Sequence, residues 1–404
     1  MPRITISLLF LFVILLPINA QDKITFWDKY PRRGCNFFNV VPEEQWFKDV
    51  ASINIEWVRL AYDKWEPQKR DFLLGNASNY KELIRNDLKK LKETLSWAEK
   101  YKQKVVITPL SLPGCRWTQK NGDKPDSRLW MNTLYQEQAI KFWVDLAREL
   151  KDYSCIAAYD ILNEPFPELG TDIEEQTVVG DADRFVDWYQ EYKETPGDLY
   201  QFYQKIIKAI RKVDPETPIM VESGFYAQPP AYTGWPGKLD DDKVLYSFHM
   251  YEPYSFTSGA NFRNGGKYSY PGKIEFGGKQ VLWDQNVINK YFEPFYKWAN
   301  NNTIPANRIV VAEFGCMRRN KGVERYLEDI ITILENRKYH WAFYSYREDE
   351  WDGYDYELGT KGLPGDYWKA IDRGEKPELP RKDNPLFDII KKRLEITVRG
   401  ESNG

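Results

Sequence analysis

The stretch Ile156-Ala-Ala-Tyr-Asp-Ile-Leu-Asn-Glu-Pro165 is a continuous, mostly apolar run that stops abruptly at Asn163, Glu164 and Pro165. It does not alternate between apolar and polar residues, so it suits a strand covered on both faces, as in a parallel sheet wrapped by helices. Proline ends the hydrogen bonding of such a strand, and a carboxylate at its exit has no packing role. Arg308-Ile-Val-Val-Ala-Glu-Phe-Gly315 repeats the arrangement around Glu313. Two glutamates thus stand at the exits of two buried strands.

Reading outward, comparable short runs occupy 34–38, 55–62, 105–112, 219–222, 244–251 and 341–346, making eight with 156–163 and 309–315. Amphipathic stretches lie between them at 79–101, 132–150, 198–213, 286–300 and 322–336. In the first of these, Asn79 and Glu82 have capping-box spacing, and Leu83, Leu88, Leu91, Leu95 and Ala98 recur at helical intervals. The alternation predicts an α/β fold, a single-domain (β/α)8 TIM barrel with extended βα loops, with a doubly wound open sheet as the alternative. Connections 113–131, 166–196 and 252–285 are long and follow strand ends, so they should wall the face where such folds place their chemistry. A polar, Pro-rich segment, 373–385, precedes an expected closing helix at 386–394.

Residues 1–20 carry Arg3, an apolar stretch over 4–16, Pro17 and a small residue at Ala20. That order describes a secretory signal peptide, an uncleaved anchor being the alternative, and the stretch is shorter than the roughly 20 residues of a membrane span. The expectation is an exported monomer with a catalytic domain over 21–404 and no membrane association after cleavage. A formal charge of -3 gives no reason to expect nucleic acid. The 15 Trp, 27 Tyr and 21 Phe exceed what a core normally requires, and flat rings with polar edges suit sugars. Cys35, Cys115, Cys155 and Cys316 lack metal-like spacing, and both disulfides and buried free thiols are open to them. His249 and His340 offer little to a metal site or a Ser/His/Asp triad, and His340, opening the eighth run, reads as structural. No cofactor and no metal is expected.

Carboxylate chemistry remains. Hydrolysis of a glycosidic bond needs a pair of carboxyls, one to protonate the leaving oxygen and one to attack or steady the sugar cation. Glu313, flanked by Val311-Ala312 and Phe314, must have partners, because an unpaired charge in apolar surroundings is costly. Arg59, in Trp57-Val-Arg-Leu60, is a candidate partner. His249 and Tyr251 close the sixth run two residues apart and therefore face the same way.

The sequence resembles the family 5 glycoside hydrolases, cellulase-like members of the retaining (β/α)8 clan, over about 33–346. Its carriers are Arg33-Gly-Cys-Asn36, Val58-Arg-Leu60, Leu162-Asn-Glu-Pro165, Phe248-His-Met-Tyr251 and Ala312-Glu-Phe-Gly315. The resemblance implies Glu164 as acid/base, Glu313 as nucleophile, Asn163 as partner of the sugar 2-hydroxyl, Arg59 and Tyr251 as orienters of Glu313, and His249 as a pocket-lining donor. It further implies a secreted retaining enzyme acting on β-linked oligo- or polysaccharide. Endo-β-1,4-glucanase, β-mannanase and a glycosidase for short or decorated glycans all stand open, and a catalytically silent glycan-binding protein on the same barrel is the alternative from another class. The chain departs from the family pattern at Leu110, where a histidine is frequent. It departs again in Trp341-Ala-Phe-Tyr-Ser-Tyr346, where the family usually offers a tryptophan platform. Tyr344, Tyr346 or Trp351 are the expected substitutes. Trp117, Trp130, Trp188, Tyr189, Tyr192 and Trp235, in or near the long loops, are candidates to stack along an extended chain, with about half of them expected to be ordinary loop anchors instead.

Overall fold

A computed structural model describes residues 23–28, 31–65, 69–173 and 178–401; the expected signal peptide lies outside them. The eight apolar runs become strands β1 (Arg33–Phe37), β2 (Trp57–Ala61), β3 (Lys104–Thr108), β4 (Ile156–Asp160), β5 (Ile219–Glu222), β6 (Val244–Met250), β9 (Ile309–Phe314) and β10 (His340–Phe343). They pair in parallel and close into a barrel in the order β1-β2-β3-β4-β5-β6-β9-β10. Closure is made by Arg33, Gly34 and Cys35 lying opposite Trp341, Ala342 and Phe343, which removes the open-sheet alternative. The chain therefore folds as the predicted TIM barrel.

Continuous apolarity follows from two cores. Val58, Leu60, Val105, Ile107, Tyr159, Val221 and Phe248 face outward to the helices, while Trp57, Val106, Ala158, Met220, Leu245, Val310, Ala312 and Ala342 fill the lumen. Trp57 lies across Gly34, where a Cβ would sit 2.5 Å from its ring. Trp27 plugs the N-terminal end: its Nε1 donates to the Ala157 carbonyl at 3.1 Å, and its ring meets Trp57 and His340 edge-on. His340 is structural, as expected. It accepts the Arg32 N–H at 2.8 Å on Nδ1, and burial pulls it down to about 3, so it is neutral.

Helix Thr133–Leu150 is capped by Asn132, Leu199–Arg211 by Asp198 and Gln285–Asn301 by Asp284, each through its side-chain oxygen. Val323–Arg337 also forms as expected, and Pro385–Glu401 is the closing helix. One start is corrected: the helix expected from Asn79 runs over Arg85–Lys100. The Asn79 N–H is spent on the Asn76 carbonyl in a turn, and Asp87 anchors the first helical turn through the Leu73 N–H at 2.9 Å and Arg70 at 2.8 Å. Connection 166–196 contains a further helix, Asp183–Tyr192, and connection 252–285 a hairpin of β7 (Gly272–Phe276) and β8 (Lys279–Trp283). The four cysteines are free thiols. No helix among the described residues is long and apolar enough to cross a membrane.

Candidate active site

Strand parity makes the top of the barrel polar. Two residues beyond lumen-filling Gly34, Trp57, Val106, Ala158 and Met220 come Asn36, Arg59, Thr108, Asp160 and Glu222, which share their inward face. His249, two beyond Ser247, completes the layer from β6. All of these side chains are buried.

Arg59 is the hub. Its Nε donates to Asp160 Oδ2 at 2.9 Å, and its Nη2 to Glu222 Oε1 at 2.7 Å and Asn163 Oδ1 at 2.8 Å. Its Nη1 reaches Glu313 Oε1 in a short contact and Asn36 Oδ1 at 3.3 Å. Burial alone would lower this guanidinium, but Asp160, Glu222 and Glu313 raise it overall, so it is a fixed cation. The other oxygen of Glu313 accepts from the Tyr251 hydroxyl at 2.8 Å. Burial raises the Glu313 carboxyl, with His249 and Arg59 pulling the other way.

Glu164 is half-exposed, 32 % in its side chain, and stands at the mouth. Its φ of 47° is left-handed, at a cost of about 1–2 kcal/mol for a residue with a Cβ. The conformation is held by its N–H, which donates to Glu222 Oε2 at 2.6 Å. Its Oε1 lies 3.0 Å from His249 Nδ1, and His249 Nε2 lies 3.0 Å from Glu222 Oε1. One oxygen from each of Glu164 and Glu313, with a His249 ring nitrogen, fall within 4.8 Å of one another. The structure therefore brings together all six expected residues Glu164, Glu313, Asn163, Arg59, His249 and Tyr251.

Those three ligand-type atoms could in principle receive a cation. The Arg59 guanidinium already occupies Glu313, and both ring nitrogens of His249 are engaged, so the cluster reads as a hydrogen-bonded proton-transfer site. Burial would lower His249, but Glu222 and Glu313 hold it up at about 10. Burial would raise Glu222, yet His249 and Arg59 bring it down to about 2. Burial, then Glu222, push Asp160 up to about 7; its Oδ1 has no hydrogen-bond partner among the described residues. Asp160 and Glu222 escaped the sequence reading of the site. Their signal was available: an acidic residue inside one continuous run and at the end of another.

The aromatic expectations divide. Tyr344 lies near Glu313, whose charge, after burial, helps raise its phenol: its hydroxyl donates to Glu348 at 2.8 Å, and its ring packs edge-on against Phe38 and Tyr354. Tyr354 also meets Tyr251 and the 39 % exposed Trp351, so Tyr344 and Trp351 belong to one rim. Tyr346 does not; it is buried edge-on against Trp46. Trp130, Trp188, Tyr189 and Trp235 are also buried loop anchors and not platforms, Trp188 stacking on Tyr192 at 4.7 Å. Trp117 is partly buried against Phe38, Ala61 and Leu110. Leu110, in place of the family histidine, sits in that apolar cluster with its N–H donated to Asp63 at 2.8 Å. Two exposed rings beside Glu164 were missed: Tyr226, 51 % exposed and packed on Phe166 at 4.3 Å, and Tyr254, 61 % exposed. Glu164 contributes to raising both phenols, after burial.

A closed parallel barrel with an acidic pair at the C-terminal ends of β4 and β9 is the arrangement of the glycoside hydrolase barrels. The chain belongs to the cellulase family, glycosyl hydrolase family 5, whose model matches residues 19–350. It is 24% identical to endoglucanase C of Acetivibrio thermocellus over 264 residues, 65% of this chain and 66% of that protein, so the match falls just short of two thirds of the relative's length. It is 22% identical to a beta-xylosidase of Phanerodontia chrysosporium, across 94% of this chain and 73% of that one. Among solved structures it is similar in fold to Thermotoga maritima Cel5A. The mannotriose complex gives a TM-score of 0.57 at 16% identity, covering 82% of this chain and 94% of the other. The cellobiose complex of a mutant form gives 0.60 at 17%, covering 91% and 99%.

Proposed function

We propose that this protein hydrolyses β-linked polysaccharide by double displacement with retention, as an endo-β-1,4-glucanase or β-mannanase. The observation that carries this reading is the approach of Glu164, Glu313 and His249 to within 4.8 Å, compatible with the roughly 5–5.5 Å carboxyl separation of retaining enzymes. Glu313 attacks the anomeric carbon while Glu164 passes its proton to the leaving oxygen; a glycosyl ester forms on Glu313. Water, deprotonated by Glu164, then displaces the ester and restores both carboxyls. Asn163 commits its Oδ1 to Arg59, which turns its amide donors toward the cleft and the sugar 2-hydroxyl.

A polymer substrate is favoured by the exposed rings of Tyr226, Tyr254 and Trp351, since such rings suit successive sugars. The solved relative's complexes with cellobiose and mannotriose support testing both glycan types. Export through the 1–20 segment belongs to the same proposal, as the compartment in which polysaccharide is met. The experiment is product analysis on β-glucans, xyloglucan and mannans with the anomer recorded by NMR. Short oligosaccharides of retained configuration from glucan or mannan are expected; inverted product, or no hydrolysis of any member, overturns the reading.

A further inference from the structure

Glu222 accepts three donors from three parts of the chain: Arg59 Nη2 at 2.7 Å, the Glu164 N–H at 2.6 Å and His249 at 3.0 Å. It is fully buried, and its oxygens are filled by groups that have only protons to give. His249 Nε2 must therefore be a donor as well, which fixes the ring so that Nδ1 faces Glu164. The charged and titratable groups around this ring are Glu222 from β5, Glu164 and Asp160 from the β4 side, and Glu313 on β9, 3.9 Å from Nδ1. Against these carboxyls stand Arg59 from β2 and the neutral Tyr251 just past the end of the ring's own strand. Such surroundings favour a second positive charge on the imidazole.

We infer that Glu222 is a positioning residue which holds His249 as a doubly protonated imidazolium donating Nδ1–H to Glu164, so that Glu164 stands ionised as the base for the second displacement. The inference rests on the retaining mechanism proposed above. When the sugar is esterified to Glu313 the nucleophile's charge is gone, and the imidazolium is the nearest compensation for the carboxylate left at Glu164. A water then loses a proton to Glu164, its oxygen bonds to the anomeric carbon, and the carbon–oxygen bond to Glu313 breaks with the electron pair returning to that carboxylate. The Nδ1 proton stays on His249 throughout. Without Glu222's charge the ring falls to its neutral form, Glu164 holds its proton to higher pH, and the second displacement suffers more than the first.

The test uses the whole protein with its histidines labelled with 15N, because His249 and His340 are the only two. At pH 7 one ring should carry protons on both nitrogens and the other on one; in Glu222→Gln the first should become singly protonated. With 2,4-dinitrophenyl β-cellobioside, or the mannobioside if mannan is the better substrate, Glu222→Gln should release a burst of dinitrophenolate and then turn over about 10- to 100-fold more slowly. KM should fall alongside kcat, azide should speed turnover, and the acidic limb of kcat should move up by about one pH unit. Two singly protonated rings in the wild type would overturn the inference. So would a Glu222→Gln enzyme losing kcat and kcat/KM equally without a burst, the pattern of a damaged nucleophile. Should that variant fail to fold, the wild-type spectrum decides alone. Failure of the retaining mechanism would look different: no covalent adduct on Glu313 in the wild type.

Discussion

Tyr251 donates its phenolic proton to one oxygen of Glu313 at 2.8 Å while Arg59 holds the other, so both oxygens of the carboxylate are oriented before substrate arrives. Removing the phenol leaves Glu313 free to rotate and weakens a preorganised donor. Tyr251→Phe should lower kcat about 10²- to 10³-fold with a thermal midpoint within a few degrees of wild type. Steady-state kinetics and calorimetry check both halves.

Arg59 is different in kind, because its single charge is paired with buried Asp160, Glu222 and Glu313 at once. Arg59→Ala should abolish turnover and also destabilise the fold by about 3–5 kcal/mol, the usual cost of stranding buried charge. Urea denaturation of the variant at pH 7 measures it; an unchanged midpoint would mean that Arg59 serves chemistry alone.

Glu164 and Glu313 should part company on substrates with good leaving groups. Glu164→Gln and Glu313→Gln each lose orders of magnitude on glycan, but a 2,4-dinitrophenyl glycoside needs no proton and should restore the first displacement only in Glu164→Gln. Stopped-flow release of dinitrophenolate distinguishes the two.

Tyr226 is carried by three consecutive left-handed residues, Phe225, Tyr226 and Ala227, a turn held by the Phe225 N–H on Glu168 at 2.9 Å and by Arg184 over the Phe225 ring at 4.4 Å. Strain of this kind persists only where surroundings over-determine it. Tyr226→Ala should lower kcat/KM on cellopentaose or mannopentaose roughly two- to tenfold, the worth of one aromatic contact, with Tyr226→Trp restoring it. Equal rates for all three enzymes would remove Tyr226 from the sugar path.

Burial raises Asp63 to about 7, despite the Leu110 N–H it accepts. The folded protein thus binds a proton that the unfolded chain, titrating near the ordinary Asp value of about 3.9, has released, and stability contributed by the protonated form is lost as pH rises from about 4 through 7. Asp63→Asn keeps an acceptor for Leu110 and should flatten this loss. Its urea midpoint should fall less than that of wild type between pH 5 and pH 8.

The barrel was legible because β1 to β6, β9 and β10 are buried on both faces and so appear as unbroken apolar runs. The hairpin β7–β8 was not read, although its turn, Gly277 and Gly278 at φ 57° and 70°, joins two short stretches of the kind that marks a hairpin. The helix start at Arg85 was misplaced because the local spacing of Asn79 and Glu82 lost to a tertiary anchor, Asp87. At the site, strand position made Glu164, Glu313 and Arg59 readable. Glu222 was passed over although it ends the fifth apolar run; the structure shows it as the acceptor joining Arg59, His249 and the Glu164 backbone. Tyr226 had no readable signal, since neither periodicity nor composition announces a left-handed turn at Phe225.

The most direct measurement is covalent trapping. Incubation with 2,4-dinitrophenyl 2-deoxy-2-fluoro-β-cellobioside, or its mannobiose counterpart, followed by mass spectrometry of the digest, should give one modified peptide with the sugar on Glu313. Glu313→Gln should remain unlabelled. A label on any other carboxylate, or turnover of the glycan to inverted product without labelling, would contradict the account.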